Sequence, residues 1–305
     1  MATARFTRET RTRPRVRLRP STVIPIVGFT LALVLFITLS PGATRVYAAG
    51  VFGALRAPGE PALIAGHRGD RASAPENTLP ALQSALDSSM EFVETDVQLT
   101  SDGVPVLIHD LTLNRTTNGK GRVSAITLKK LRKLDAGEWY DPSFAGTRVP
   151  TLDEFFVIFA DSGKKALLEL KGYWTAEQVA IVADLARAHD VQGRVTLASF
   201  DFSTLISAEA AAPSIPRVVI RRMIPADPVQ LINHFGAIAI LTSPAALEAR
   251  PHTVEALHDA DLGVLVYTLN DSEEWSEALA LGVDGIITDT PSTLDAWLAE
   301  TAPGT

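Results

Sequence analysis

"LIAGHRGDRASAPENT", residues Leu63–Thr78, is an apolar run that stops at a charged triplet. Leu63, Ile64 and Ala65 read as a buried strand, and the polar residues begin where such a strand would leave the core. His67 and Arg68 then stand at the strand's C-terminal end, beside Gly69. A strand ending this way delivers an ionisable ring and a cation to the mouth of a sheet, which is a place to hold phosphate. Alone, the same triplet also reads as an ordinary surface turn. "TLPALQSALDSS" follows at 78–89 with helical spacing and a threonine at its start, so the stretch is one strand–loop–helix unit.

The unit recurs along the chain. Residues 62–66, 91–99, 165–170, 194–199, 216–221, 237–242, 263–269 and 283–288 form eight candidate strands. Amphipathic stretches alternate with them, among them 175–189, 251–261, 272–281 and 292–300. Strands separated by single helices imply parallel pairing through right-handed crossovers. Eight such units over roughly 240 residues fit an α/β fold of the (β/α)8, or TIM, barrel type, with a doubly wound open sheet as the second choice. Residues 111–149 break the rhythm: they are rich in Thr, Gly, Asn and Lys and contain no long strand. They are expected to form a small inserted subdomain after the second-strand region, following a strand that ends at His109. Connections of this length are commonly lids or binding loops.

The N-terminus lies apart from this pattern. Seven arginines against Glu9 alone occupy residues 1–20, and "VIPIVGFTLALVLFITL" (Val23–Leu39) carries no charge. A basic flank before an apolar run fits export. Two readings stay open. One is a signal peptide cleaved near "VYA" (Val46–Ala48); the other is an uncleaved anchor leaving the remaining chain outside the cytoplasm. The expected organisation is a basic tail at 1–22, an anchor or signal core at 23–42, a linker at 43–60 and the barrel at 61–299.

The remaining composition excludes several functions. The 305 residues have no cysteine, so no disulfide framework, thiolate metal site or cysteine nucleophile is available. Any metal must be held by hard oxygen or imidazole ligands. The net charge is −7 although the first 20 residues are strongly basic, so the folded body is acidic. Such a body is a poor nucleic-acid binder, and no nucleic-acid motif is present.

In a barrel of this type, active groups sit at the C-terminal ends of strands. Strand one ends in His67 and Arg68. Strand two carries Glu94 and Asp96, whose spacing puts both carboxylates on one side. "VPVLIHD" ends in His109 and Asp110, and "LELK" carries Glu169 and Lys171, again two apart. Taken singly, each fragment has a structural reading: a turn, an exposed strand edge, a capped strand end. Together they suit phosphate chemistry. Glu94, Asp96 and Glu169 supply oxygens for one divalent cation, without which they repel and raise one another's pKa. Such a cation offsets charge developing on a phosphoryl group. Arg68 donates two hydrogen bonds to phosphate, Lys171 adds a point charge, and two imidazoles serve as general acid and base.

The order "HRG" (67–69), "PENT" (75–78), "ETD" (94–96), "DGVPVLIHD" (102–110), "LNRTTNGKG" (113–121), "PTLDE" (150–154), "LELK" (168–171), "YTLND" (267–271) and "GVDGIITDTP" (282–291) resembles the glycerophosphodiester phosphodiesterase family over roughly residues 61–299. The resemblance implies a (β/α)8 barrel with an insertion after the "HD" strand. It implies hydrolysis of glycerophosphodiesters, such as glycerophosphocholine, to sn-glycerol 3-phosphate and an alcohol, with one divalent cation, Ca2+ or Mg2+. By matching motif, it makes His67 and His109 the acid–base pair. Arg68 and Lys171 become the phosphate contacts, and Glu94, Asp96 and Glu169 the metal ligands. Attack by the neighbouring glycerol hydroxyl through a cyclic phosphate is implied too. Many family members have Trp where this chain has Tyr267, so Tyr267 is the candidate for substrate packing.

Other residues receive plainer expectations. Glu76 and Asn77 brace the "HRG" loop and cap the next helix; Asp110 orients a neighbour or is structural. His189, His234, His252 and His258 fall at helices or their ends. Trp139, Tyr140 and Phe144 form a small core for the insertion or line a pocket, the core being preferred. Three rival functions remain: lysophospholipase D cleavage of lysophospholipids, a noncatalytic anchored binder of phosphodiesters, and a barrel isomerase or aldolase with Lys171 as a Schiff-base lysine.

Overall fold

The computed structural model describes residues Tyr47–Thr301. The arginine tail and the apolar run Val23–Leu39 lie outside them, so the anchor and signal readings are not addressed. Among the described residues, no helix is long and apolar enough to cross a membrane.

Eight parallel strands close into a barrel: β1 (Leu63–Gly66), β2 (Phe92–Leu99), β4 (Lys165–Leu170), β5 (Val195–Ser199), β6 (Arg217–Arg221), β7 (Ala239–Thr242), β8 (Gly263–Val266) and β9 (Gly285–Thr288). Closure comes from β1, which pairs in parallel with both β2 and β9. The eight runs read from sequence are these strands: 165–170 is β4 unchanged, and the other seven are trimmed by one to three residues at their ends. β3 (Pro105–Leu107) is different: it runs antiparallel to the long β2 and stands outside the barrel ring. The strand expected before the insertion is thus a hairpin arm that ends at Leu107 rather than at His109. β2 extends past its neighbours, turns at 100–104, and returns along itself, so His109 reaches the rim on a hairpin. Three residues, "PVL", carry no period that separates a hairpin arm from a barrel strand.

Two apolar layers fix the architecture. Inside the ring, Leu167, Val218, Ile220, Leu241, Leu265 and Ile287 pack together. Helices cover the outside of the ring and close its floor. α1 (Ala48–Phe52) comes first, then α2 (Leu79–Leu86) and α3 (Leu128–Leu131), the last within the insertion. α4 (Leu152–Phe159) follows, and it buries Phe155, Phe156 and Phe159 completely; each such burial contributes about 1.5–3 kcal/mol. A reciprocal capping box starts α4, with Glu154 N donating to Thr151 Oγ1 at 3.1 Å and Thr151 N to Glu154 Oε2 at 2.8 Å.

α1 corrects the expected linker. Rather than connecting loosely, it closes the barrel floor: Ala48, Val51 and Phe52 are buried, and the Phe52 ring lies 5.9 Å from that of Phe92, the first residue of β2. Lys165, the first residue of β4, donates through Nζ to the Val51 carbonyl. Five residues are too few to show helical periodicity in a sequence.

The insertion packs Leu113, Val123, Leu131, Ala136 and Val149 against Val106 of the hairpin arm and the adjoining Ile108 in a core of its own. Trp139, Tyr140 and Phe144 are absent from it, which overturns the preferred expectation. They form an edge-to-face stack at the surface, with ring centroids 5.8 and 5.6 Å apart. The Tyr140 hydroxyl donates to the Ala72 carbonyl at 2.5 Å, tying the insertion to the loop after β1.

Candidate active site

The triplet after β1 turns sharply. His67 N donates to the Thr288 carbonyl at 2.9 Å, and Arg68 and Gly69 take φ of +58° and +82°. A Cβ on Gly69 would stand 2.7 Å from the Ala81 backbone, so only glycine lets α2 approach this closely. The turn aims the Arg68 amide at Glu94 Oε2, 2.8 Å away.

Glu94, Asp96 and Glu169 converge as expected from their spacing. Asp96 of β2 is in register with Glu169 of β4, and ligand oxygens of all three carboxylates lie within 4.8 Å of one another. Burial and the charges of Asp96 and Glu169 push Glu94 well above the carboxylate range. Burial and Asp96 push Glu169 up to about 7. Asp96 goes the other way: burial opposes its ionisation, but Lys171, Arg68 and His109 outweigh it, helped by a 2.9 Å hydrogen bond from Asn77 Nδ2. Three crowded oxygen donors that raise two of their own pKa values fit a hard divalent cation, whose charge would relieve the crowding.

Lys171 Nζ sits 2.7 Å from Glu169 Oε1 and 3.3 Å from Asp96 Oδ1. Burial lowers its pKa, but these carboxylates raise it more, so it is held charged. A charged amine is no Schiff-base nucleophile, which counts against the aldolase reading.

Both histidines are oriented by carboxylates. His67 Nδ1 lies 2.6 Å from Asp289 Oδ1, and His109 Nδ1 lies 2.8 Å from Asp110 Oδ1. Burial opposes ionisation of Asp289, but hydrogen bonding from His67 and the charges of His67 and Arg71 hold it below the usual range. Asp110 is held well down, first by hydrogen bonds from Arg115. Ionised carboxylates only accept, so each ring carries a proton on Nδ1. Arg68 Nε donates to His67 Nε2 at 3.2 Å. The His109 turn is fixed by buried Gln98, whose Nε2 donates to the carbonyls of Ile108, His109 and Asp110 at 2.9, 3.1 and 2.6 Å. Burial is the main cause that holds His109 below the ordinary imidazole value.

Asp289, Gln98 and Arg115 were not singled out by sequence reasoning. Asp289 follows β9 directly, and its position at a strand's C-terminal end was the available signal. Glu76 does brace the "HRG" turn: it accepts from Arg68 at 2.6 Å and from two Arg115 nitrogens at 2.8 Å each. Asn77 does not cap α2; its side chain turns inward to Thr95 and Asp96. His189 and His258 lie at helix ends and pair with Asp153 and Asp284.

Burial raises the Glu76 pKa, but Arg115 and Arg68 outweigh it and bring it to about 2. A depressed carboxylate stabilises the fold above its unfolded value and stops doing so as pH falls through its folded one. Glu76 therefore contributes about 3 kcal/mol at pH 7, and this is lost as pH falls from about 4.5 toward 2. Urea unfolding of E76Q is expected to show that deficit at pH 7 and almost none at pH 2. An equal deficit at both pH values would contradict the assignment.

A pocket of about 300 Å³ opens beside His67, Glu94 and Glu169 and is walled by Phe200, Ile220, Leu241 and Tyr267. Tyr267 meets Phe200 edge to face with centroids 6.2 Å apart. The pocket is shallow in capacity, with room for only about 30 Å³ of enclosed volume, and lies in the barrel mouth.

Comparison with known proteins follows the same lines. The sequence model of the glycerophosphoryl diester phosphodiesterase family matches residues 67–293. A glycerophosphodiester phosphodiesterase of Caldanaerobacter subterraneus subsp. tengcongensis is 34% identical over 236 residues, covering 76% of this chain and 96% of that protein. The structure of an Oleispira antarctica phosphodiesterase in complex with the product sn-glycerol-3-phosphate superposes with a TM-score of 0.73 at 29% identity, covering 78% of this chain and 96% of that one. A glycerophosphodiester phosphodiesterase from Agrobacterium tumefaciens C58 superposes with a TM-score of 0.69 at 32% identity, covering 77% and 100%.

Proposed function

The chain belongs to the glycerophosphoryl diester phosphodiesterase family, and from that premise we propose that it releases sn-glycerol 3-phosphate from small soluble glycerophosphodiesters, using His67 and His109 as its acid–base pair and one divalent cation. The observation that carries this reading is the pairing at the rim. Each imidazole is fixed through Nδ1 to an ionised carboxylate, and both flank the acidic triad. A noncatalytic binder has no need of two such rings.

Glu94, Asp96 and Glu169 would hold the cation, Ca2+ or Mg2+, which when bound supplies positive charge to the phosphoryl oxygens. Arg68 and Lys171 lie beside the same carboxylates and add cationic charge facing the phosphate. One imidazole takes the proton from the glycerol hydroxyl next to the phosphate, and the other protonates the leaving alkoxide. The hydroxyl oxygen bonds to phosphorus as the alcohol departs, leaving a cyclic phosphate. Water then opens that ring with the two imidazoles exchanging roles, and sn-glycerol 3-phosphate is the product.

The small pocket favours a compact headgroup over the acyl chain of a lysophospholipid. The deciding experiment incubates metal-stripped protein with glycerophosphocholine, with and without Ca2+ or Mg2+, and assays glycerol 3-phosphate. Release only with cation is expected. No release from several headgroups, by folded protein, would overturn the reading in favour of lysophospholipid cleavage. Tyr267→Ala removes the aromatic wall and is expected to raise KM by about 3- to 10-fold, the worth of one aromatic contact, with kcat little changed. A KM equal to wild type would remove Tyr267 from the substrate pocket.

A further inference from the structure

Arg115 reaches from the insertion into the catalytic rim and makes four hydrogen bonds there. Nε and Nη2 donate to the two carboxylate oxygens of Asp110 at 2.9 Å each, and Nη1 and Nη2 donate to those of Glu76 at 2.8 Å each. We propose that Arg115 is a positioning residue for His109, acting through Asp110; this rests on the phosphodiesterase reading above.

Asp110 is the carboxylate on His109 Nδ1, and it is part-exposed on the loop leaving the hairpin. One hydrogen bond to a neighbouring ring leaves such a carboxylate free to rotate. The planar guanidinium removes that freedom by gripping both oxygens at once. Its other edge is anchored on Glu76, a side chain only 2% exposed that is itself fixed by Arg68 at 2.6 Å. Glu76 also meets Arg71 at 3.4 Å, and Arg71 meets Asp289, the partner of His67, at 3.3 Å. An arc of alternating charges thus runs from one imidazole to the other, and Arg115 is its link to the insertion. Residues 111–149 accordingly take part in the site: through Arg115 they hold one imidazole at its distance from the other.

The test compares full-length wild type, R115A and R115K, with glycerophosphocholine and saturating cation. R115A is expected to lose about 10- to 100-fold in kcat, the usual cost of removing a residue that orients a catalytic group. KM and cation affinity stay within about twofold, since the acidic triad is untouched. Because Arg115 is 41% exposed in its side chain, guanidinium added to R115A can enter the gap and is expected to restore much of kcat, whereas methylammonium does not. R115K, which cannot span both carboxylates, remains impaired. A kcat within twofold of wild type, or a loss that guanidinium leaves unchanged, overturns the proposal. The NMR resonance of the His109 Nδ1 proton is read in the same samples. Its loss or shift in R115A supports the positioning role, and an unchanged resonance contradicts it. That readout holds even if wild type releases no glycerol 3-phosphate, the outcome that would instead sink the phosphodiesterase reading.

Discussion

His67→Ala and His109→Ala are each expected to lower kcat for glycerophosphocholine by about 10³-fold, within the range that general acid–base catalysis supplies. The fold should survive both changes. Neither ring belongs to an apolar core, and the carboxylates they leave behind keep other partners. Asp289 retains Arg71 and Asn270, and Asp110 retains Arg115. No buried charge is stranded, so melting temperatures should stay within about 3 °C of wild type. The double variant should fall little below either single one, because a base and an acid that serve the same displacement act as a unit. Rates of glycerol 3-phosphate release beside thermal melts would settle the matter. Activity within tenfold of wild type in either variant would remove that histidine from the mechanism.

Glu169→Gln is expected to weaken cation binding by at least about 100-fold, the upper end of the cost of an outer-sphere partner. Gln resembles the protonated carboxyl, and the Glu169 pKa stands at about 7 in the cation-free protein. The substitution therefore mimics a state the fold already visits, and Lys171 keeps Asp96 as its partner at 3.3 Å. The sign of the pH effect follows from linkage. A carboxyl at about 7 when folded, against 4.5 when free, works against the cation-free fold above pH 4.5, and this penalty is complete only above about 7. A bound cation lifts it, so the rise in melting temperature on adding Ca2+ or Mg2+ should be larger at pH 8 than at pH 5. In E169Q that difference should shrink. Calorimetric titration would measure the affinities; an unchanged affinity in E169Q would take Glu169 out of the cation site.

The barrel was legible because its strands are short, apolar and bounded by turn residues, and because eight of them recur at the right spacing. The acidic triad was legible for a similar reason. Two residues along a strand share a face whatever the fold, so the spacing in "ETD" and "ELK" is enough to give their direction. What escaped depends on contacts distant in sequence. Gln98 gains its role from three carbonyls on a returning hairpin, and Asp289 from a ring more than two hundred positions earlier. "LDEFFVIF" has apolar residues at nearly every position, so no period reveals α4. Trp139, Tyr140 and Phe144 look like core by residue type, yet aliphatic side chains already fill the insertion's interior.

The closure of the barrel floor by Ala48–Phe52 bears on approach as well as on stability. The chain enters at the N-terminal ends of the strands, where Phe52 meets Phe92, while both imidazoles stand at the opposite rim. Substrate therefore approaches the imidazoles from the face opposite α1, and changes at Ala48–Phe52 leave that approach untouched.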